Sequence, residues 1–124
     1  MKRILVMTFS FEGVGALVLM TRFVPKFGVS GVYMSLFHSI SAFCNAGFDL
    51  VGDSSLTVMY DEPIVLLTHA TLIFVGGIGF MVWESIRESI FKKKHLSVYA
   101  KFVLAVSAIL LATGFAVTAI FEWN

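Results

Sequence analysis

Hydrophobic positions fall into four stretches separated by short polar segments, and the stretches are not equivalent. Ile4 to Met20 is followed by Arg22, Pro25 and Lys26. Its length suits a hydrocarbon core of about 30 Å, which takes roughly 17–25 residues of helix. Ile64 to Trp83 and Phe102 to Phe121 carry no formal charge. These patterns predict spanning helices over 4–24 and 64–83, and a further one within 96–124.

The second stretch is shorter. Val32 to Cys44 has about 13 residues, in the range of a re-entrant or interfacial segment and too few to cross. Ser35, His38, Ser39 and Ser41 are set among its aromatic and aliphatic residues, and Gly28, Ser30 and Gly31 precede it. Asn45-Ala46-Gly47 ends it, with Gly47 able to take backbone conformations that a Cβ resists. A turn-rich acidic piece follows, from Asp49 through Gly52 and Asp53 to Ser55. The predicted architecture is all-α and membrane-embedded: spanning helix, half-helix over 32–44, irregular return loop over 45–49, spanning helix, then one further transmembrane helix.

Composition agrees with the pattern. Hydrophobic residues make up 58% of the 124-residue chain and its mean hydropathy is +0.91. A water-soluble domain is about half apolar and, at this size, buries only part of its surface. A bilayer accommodates the excess. Lys2 and Arg3 ahead of an apolar run resemble the start of a signal peptide, but Glu12 interrupts the run and no small-x-small cleavage site follows near Arg22. The first stretch is therefore read as a membrane segment. The single cysteine, Cys44, allows no internal disulfide, and His38, His69 and His95 are too dispersed in sequence for a zinc cluster.

The net charge of +1 is uninformative, whereas its distribution is not. Lysine and arginine favour the cytoplasmic side. With the N-terminus inside, Lys2, Arg3, Arg87, Lys92, Lys93, Lys94 and Lys101 are cytoplasmic, in a basic segment over 84–95 and at the helix starts. Arg22 and Lys26 are then outside, with Asp49, Asp53, Asp61 and Glu62, carboxylates that concentrate cations near a pore mouth. The half-helix enters from outside, and Trp123 falls at the outer interface.

Irregular backbone at membrane depth persists only where protein or a water-filled cavity surrounds it. Aligned carbonyls in such a loop replace the water oxygens of a dehydrating cation. The C-terminal end of the half-helix adds negative partial charge there. Half-helix, glycine loop and flanking helices thus form a cation-passing device, although aquaporin-type half-helices share parts of the pattern.

The run Phe37-His38-Ser39-Ile40-Ser41-Ala42-Phe43-Cys44-Asn45-Ala46-Gly47-Phe48-Asp49 resembles the pore helix and filter of the second repeat in KtrB-type transporters of the Trk/Ktr/HKT superfamily. Glu12-Gly13-Val14-Gly15-Ala16, Asp61-Glu62-Pro63 and Gly76-Gly77-Ile78-Gly79-Phe80 resemble the same repeat, and 96–124 is similar to the start of the third. The resemblance implies four helix–pore–helix repeats around one pore, of which this chain holds one, over 1–95, plus the first helix of the next. It implies a filter lined by the backbone of Asn45, Ala46, Gly47 and Phe48, with potassium as transported ion and sodium as the alternative, and no cofactor. Implied partners are the remaining repeats, a second copy of the full subunit, a cytoplasmic nucleotide-binding regulatory subunit (KtrA- or TrkA-like) and membrane lipid, with no nucleic acid. The implied location is the plasma (inner) membrane, multi-pass.

Each residue also has a structural reading. Gly47 is alternatively a helix C-cap. Glu12, a charge within a span, is expected to pair with a polar group of a neighbouring repeat. Gly13, Gly15, Gly76, Gly77 and Gly79 fit close helix packing better than a gating hinge. His38 and His69 are expected to satisfy neighbouring hydrogen bonds, and Cys44 to pack. The competing function is a non-conducting membrane interaction protein or a truncated fragment without independent activity. A membrane enzyme is disfavoured, since no spaced pair such as His-Glu-x-x-His occurs.

Overall fold

The computed structural model describes residues 2–93 and 95–122, with only the backbone described at 53–55. Lys94 and Trp123, assigned above to the basic segment and the outer interface, lie outside the described residues, as does the side chain of Asp53. The described residues form helices and turns without strands. The helices are α1 (Lys2–Phe27), α2 (Val29–Phe43), α3 (Pro63–Gly77), α4 (Phe80–Lys92) and α5 (Val98–Glu122), with a 3₁₀ segment at Gly52–Met59. They form two compact units, Met1–Gly77 and Ile78–Asn124.

In the first unit, α1 buries Glu12, Gly15, Ala16, Leu19 and Phe23. Their spacing traces one stripe of a 3.6-residue period. The stripe receives α2, which buries Gly31, Met34, Ser35, His38, Ser39 and Ala42 at the matching spacing. The half-helix is thus polar on its covered face, while Val32, Tyr33, Leu36 and Ile40 stay exposed. A soluble helix has the opposite arrangement, and this inversion suits apolar surroundings.

Leu19, Phe23, Met34, Met59 and Val65 form the core at one end of this unit. Beside it Glu62 meets both Arg22 (3.6 Å) and Lys26 (3.7 Å), tying the end of α1 to the start of α3. These are three of the residues that the charge pattern placed on one side of the membrane.

Two glycines are required by close packing. A Cβ at Gly76 on α3 would overlap the backbone carbonyl oxygen of Phe43, so α3 lies directly against the end of α2. A Cβ at Gly15 on α1 would come within 2.6 Å of Ser39 Oγ and 2.7 Å of Leu72. Gly13 has open space around its Cβ position among the described residues, so close packing within this chain is seen at Gly15 and Gly76.

The apolar run read as one span over 64–83 is two helices. α3 ends at Gly77 and α4 begins after Gly79, whose φ of +85° breaks the helical path. Three glycines in four residues remove the Cβ contacts that would hold a helix together here. The half-helix expected over 32–44 runs Val29–Phe43, and the first span extends through Pro25 to Phe27.

In the second unit, Ser97 caps α5: its Oγ accepts the Ala100 N–H at 3.2 Å. Ser85 Oγ, on α4, donates to Ser97 Oγ (3.1 Å) and accepts the Ser97 N–H (3.0 Å). Along α5 only Ala100 is buried. By length and composition α1, with mean hydropathy 1.8, and α5, with 2.3, are each able to cross a membrane, and α3 with α4 provides a third span if the two are taken as one interrupted segment.

Candidate ion filter

The loop after α2 is built from the end of the half-helix outward. The Ala46 N–H donates to the Ser41 carbonyl (2.9 Å) and the Asn45 N–H to the Ala42 carbonyl (3.1 Å). This 6→1 and 5→2 pair is a Schellman motif, with Asn45 at the left-handed position (φ +53°). Asparagine therefore does the capping, and Gly47 is released from that role. Gly47 lies two residues further on with φ +73°, turning the chain where a side chain would be strained.

Beyond the cap, alternate backbone amides face α2. Phe48 N–H donates to Ser41 Oγ (3.0 Å), and Leu50 N–H donates to His38 Nε2 (3.2 Å). Ser41 Oγ also donates to the Phe48 carbonyl at 2.7 Å. One serine thus satisfies both backbone groups of Phe48, and one histidine holds Leu50. The Val51 N–H, one residue later, donates to Asp49 Oδ1 (3.2 Å) and closes a local turn.

Of the four carbonyls expected to line a filter, the structure separates three from one. Those of Asn45, Ala46 and Gly47 accept no hydrogen bond from described residues, and all three residues are exposed. The Phe48 carbonyl is directed to Ser41 instead. Asn45, Gly47, Phe48 and Asp49 line, with His38 and His69, a cavity of about 270 Å³.

Glu12 is nearly buried on α1, and its backbone carbonyl accepts the Ser39 hydroxyl at 2.6 Å. Its Oε1 lies 4.0 Å from Cys44 Sγ. Cys44, expected to pack, is exposed, because it sits at the end of α2 where the chain leaves the covered face. His38 is buried and engaged as expected, and His69 Nδ1 lies 2.8 Å from the Val65 carbonyl. Sequence reasoning missed the double role of Ser41. Its signal was a serine in the last turn of the half-helix, on the polar side that the following loop must cross.

Comparison with known proteins places the chain in a family. The TrkH family model, described as a cation transport protein, matches residues 1–123. The potassium/sodium uptake protein NtpJ of Enterococcus hirae is 42% identical over 112 residues, covering 90% of this chain and 24% of that protein. The Ktr system potassium uptake protein B of Vibrio alginolyticus is 38% identical over 115 residues (91% of this chain, 25% of that protein). Its namesake in Bacillus subtilis is 36% identical over 124 residues (99% and 27%). The chain spans about a quarter of the length of these curated relatives. With the family pattern running almost from end to end, as the likeness of 37–49 implied, the chain belongs to the TrkH cation transport family.

Proposed function

We propose that this chain supplies one quarter of the selectivity filter of a potassium-uptake subunit, with Asn45, Ala46 and Gly47 offering their carbonyls to the ion. The observation that carries this reading is the loop itself: three exposed residues, whose carbonyls meet no donor among the described residues, follow a half-helix whose hydroxyl and imidazole hold the adjoining amides. Carbonyl oxygens fixed in this way substitute for an ion's hydration shell at little reorganisation cost. Phe48 serves the scaffold, through Ser41.

The remaining assignments follow from kinship. The names of the relatives, potassium/sodium uptake protein and Ktr system potassium uptake protein, support potassium as the ion, with sodium as the alternative, and a transporter rather than an enzyme. Residues 1–95 are one repeat and 96–124 open the next, so the remaining filter carbonyls come from other repeats of a four-repeat subunit. That subunit lies in the plasma (inner) membrane with the N-terminus of this segment cytoplasmic. It pairs with a second copy and is regulated by a cytoplasmic nucleotide-binding partner.

Anomalous diffraction from crystals of the four-repeat subunit soaked in rubidium or thallous ions tests the filter assignment. A peak is expected within coordination distance of the Asn45, Ala46 or Gly47 carbonyl. Ion peaks along the pore axis with none near these three carbonyls would overturn it.

A further inference from the structure

The helix α4 is two-sided. Val82, Ile86 and Ile90 recur at four-residue spacing on one side, and Glu84, Glu88 and Lys92 at the same spacing on the other. The apolar side opens towards the C-terminus: Val82 is buried, whereas Ile90 is 70% and the adjoining Phe91 80% exposed. The helix ends there with Lys92 and is capped by Lys93, whose left-handed φ of +49° turns the chain away.

Positive charge collects at the same end. Both carboxylates of α4 have a cationic neighbour on the helix, Glu84 with Arg87 (3.9 Å) and Glu88 with Lys92 (2.9 Å). Across 80–101 the described residues hold four lysine and arginine side chains against these two carboxylates. The surplus is carried by Lys93 and Lys101, both exposed, the second in the first turn of α5.

The span of α5 fixes where this junction lies. Lys101 and Glu122 are 21 positions apart, about 31 Å along a helix, and no charge falls between them. That length matches the hydrocarbon core, so Lys101 stands at one membrane face. Ser85 ties α4 to Ser97, just ahead of α5, and so holds α4 near that face. Tyr99 and Phe102 flank Lys101 there, both exposed. Aromatic rings beside lysines suit the boundary between headgroups and acyl chains, where rings and stems enter and ammonium groups stay at phosphate level. Phe102 opens the uncharged span, so what covers it lies at membrane depth, beyond the reach of a water-soluble partner.

We infer that the α4–α5 junction is a binding surface for anionic phospholipid, with Lys93 and Lys101 on headgroup phosphates and Ile90, Phe91 and Phe102 in the acyl boundary. Each lysine held near an anionic surface contributes about fivefold in affinity. Burial of the open apolar end of α4 adds to it without regard to headgroup charge. The inference rests on α5 crossing the membrane and is independent of the filter.

Hydrogen–deuterium exchange of the four-repeat subunit in nanodiscs tests it, with phosphatidylcholine alone compared with a mixture containing phosphatidylglycerol. Amides in the last turn of α4 and the first turn of α5 should exchange at least about fivefold more slowly in the mixed discs. Salt of about 1 M should abolish the difference. The double variant Lys93→Gln, Lys101→Gln should exchange alike in both discs, whereas Lys93→Arg, Lys101→Arg should keep the lipid effect.

Equal exchange of the unsubstituted subunit in the two discs would overturn the inference. A lipid effect that survives the glutamine pair or high salt would do the same, as would glycerophosphate in solution reproducing it in phosphatidylcholine discs. Slowing that requires a cytoplasmic regulatory protein, whatever the lipid, would assign the surface to a protein instead.

Discussion

Ser41 holds Phe48 by both of its backbone groups, accepting its N–H at 3.0 Å and donating to its carbonyl at 2.7 Å. A hydroxyl is the smallest side chain able to do both, since it donates once and accepts twice. The clamp sits immediately past Gly47 and limits how far the preceding carbonyls can rotate.

Ser41→Ala leaves both groups of Phe48 without their partner, a cost of about 1–3 kcal/mol where water cannot replace it. The four-repeat subunit should lose thermal stability by that order and discriminate potassium from sodium less well. Ser41→Thr, which keeps the hydroxyl, should recover most of the loss. Melting curves and paired isotope fluxes measure the two effects.

The left-handed residue of the cap gives a second prediction. Asn45 has φ +53°, a region that disfavours β-branched side chains. Asn45→Val should destabilise the loop by about 1–2 kcal/mol, while Asn45→Gly should be tolerated. The difference in melting temperature between the two variants reads this directly.

Gly76 and Gly13 predict opposite outcomes from the same substitution. Alanine at Gly76 drives a methyl group into the Phe43 carbonyl, and backbone on both sides must move. A loss of about 1–3 kcal/mol or more is expected, seen as reduced yield of folded protein in detergent. Alanine at Gly13 meets nothing within 4 Å among the described residues and gains helix propensity. Its yield should match that of the unsubstituted protein.

The Glu62 contacts with Arg22 and Lys26 are partly exposed and longer than 3.5 Å. Such pairs contribute about 0–1 kcal/mol. Glu62→Gln should shift the melting temperature slightly at low salt and not at all at high salt, where the charges are screened.

Much of this was legible in the sequence, for physical reasons that differ between elements. The half-helix was visible because an apolar run too short to span, ended by Asn45-Ala46-Gly47, has few other solutions in a membrane. The break between α3 and α4 was hidden, because the run from Ile64 to Trp83 stays apolar through Gly77 and Gly79 and periodicity does not register a backbone turn. That Asn45 rather than Gly47 caps the half-helix was also out of reach, because the left-handed position is one that glycine is favoured to occupy. The loss of Phe48 from the set of open carbonyls came from the path of the loop over Ser41, a three-dimensional fact without a sequence period.

The central claim is that Gly47 and its neighbours form part of a potassium filter, and growth of a transport-deficient bacterial strain on limiting potassium tests it most directly. The strain would carry the four-repeat subunit with its regulatory partner, either unsubstituted or with Gly47→Asp at equal membrane abundance. Gly47 has φ +73°, so aspartate strains the turn and sets a carboxylate beside the carbonyls. Rescue by the unsubstituted subunit, abolished by Gly47→Asp, is the predicted result. Equal rescue by both, with unchanged preference for potassium over sodium, would contradict the account.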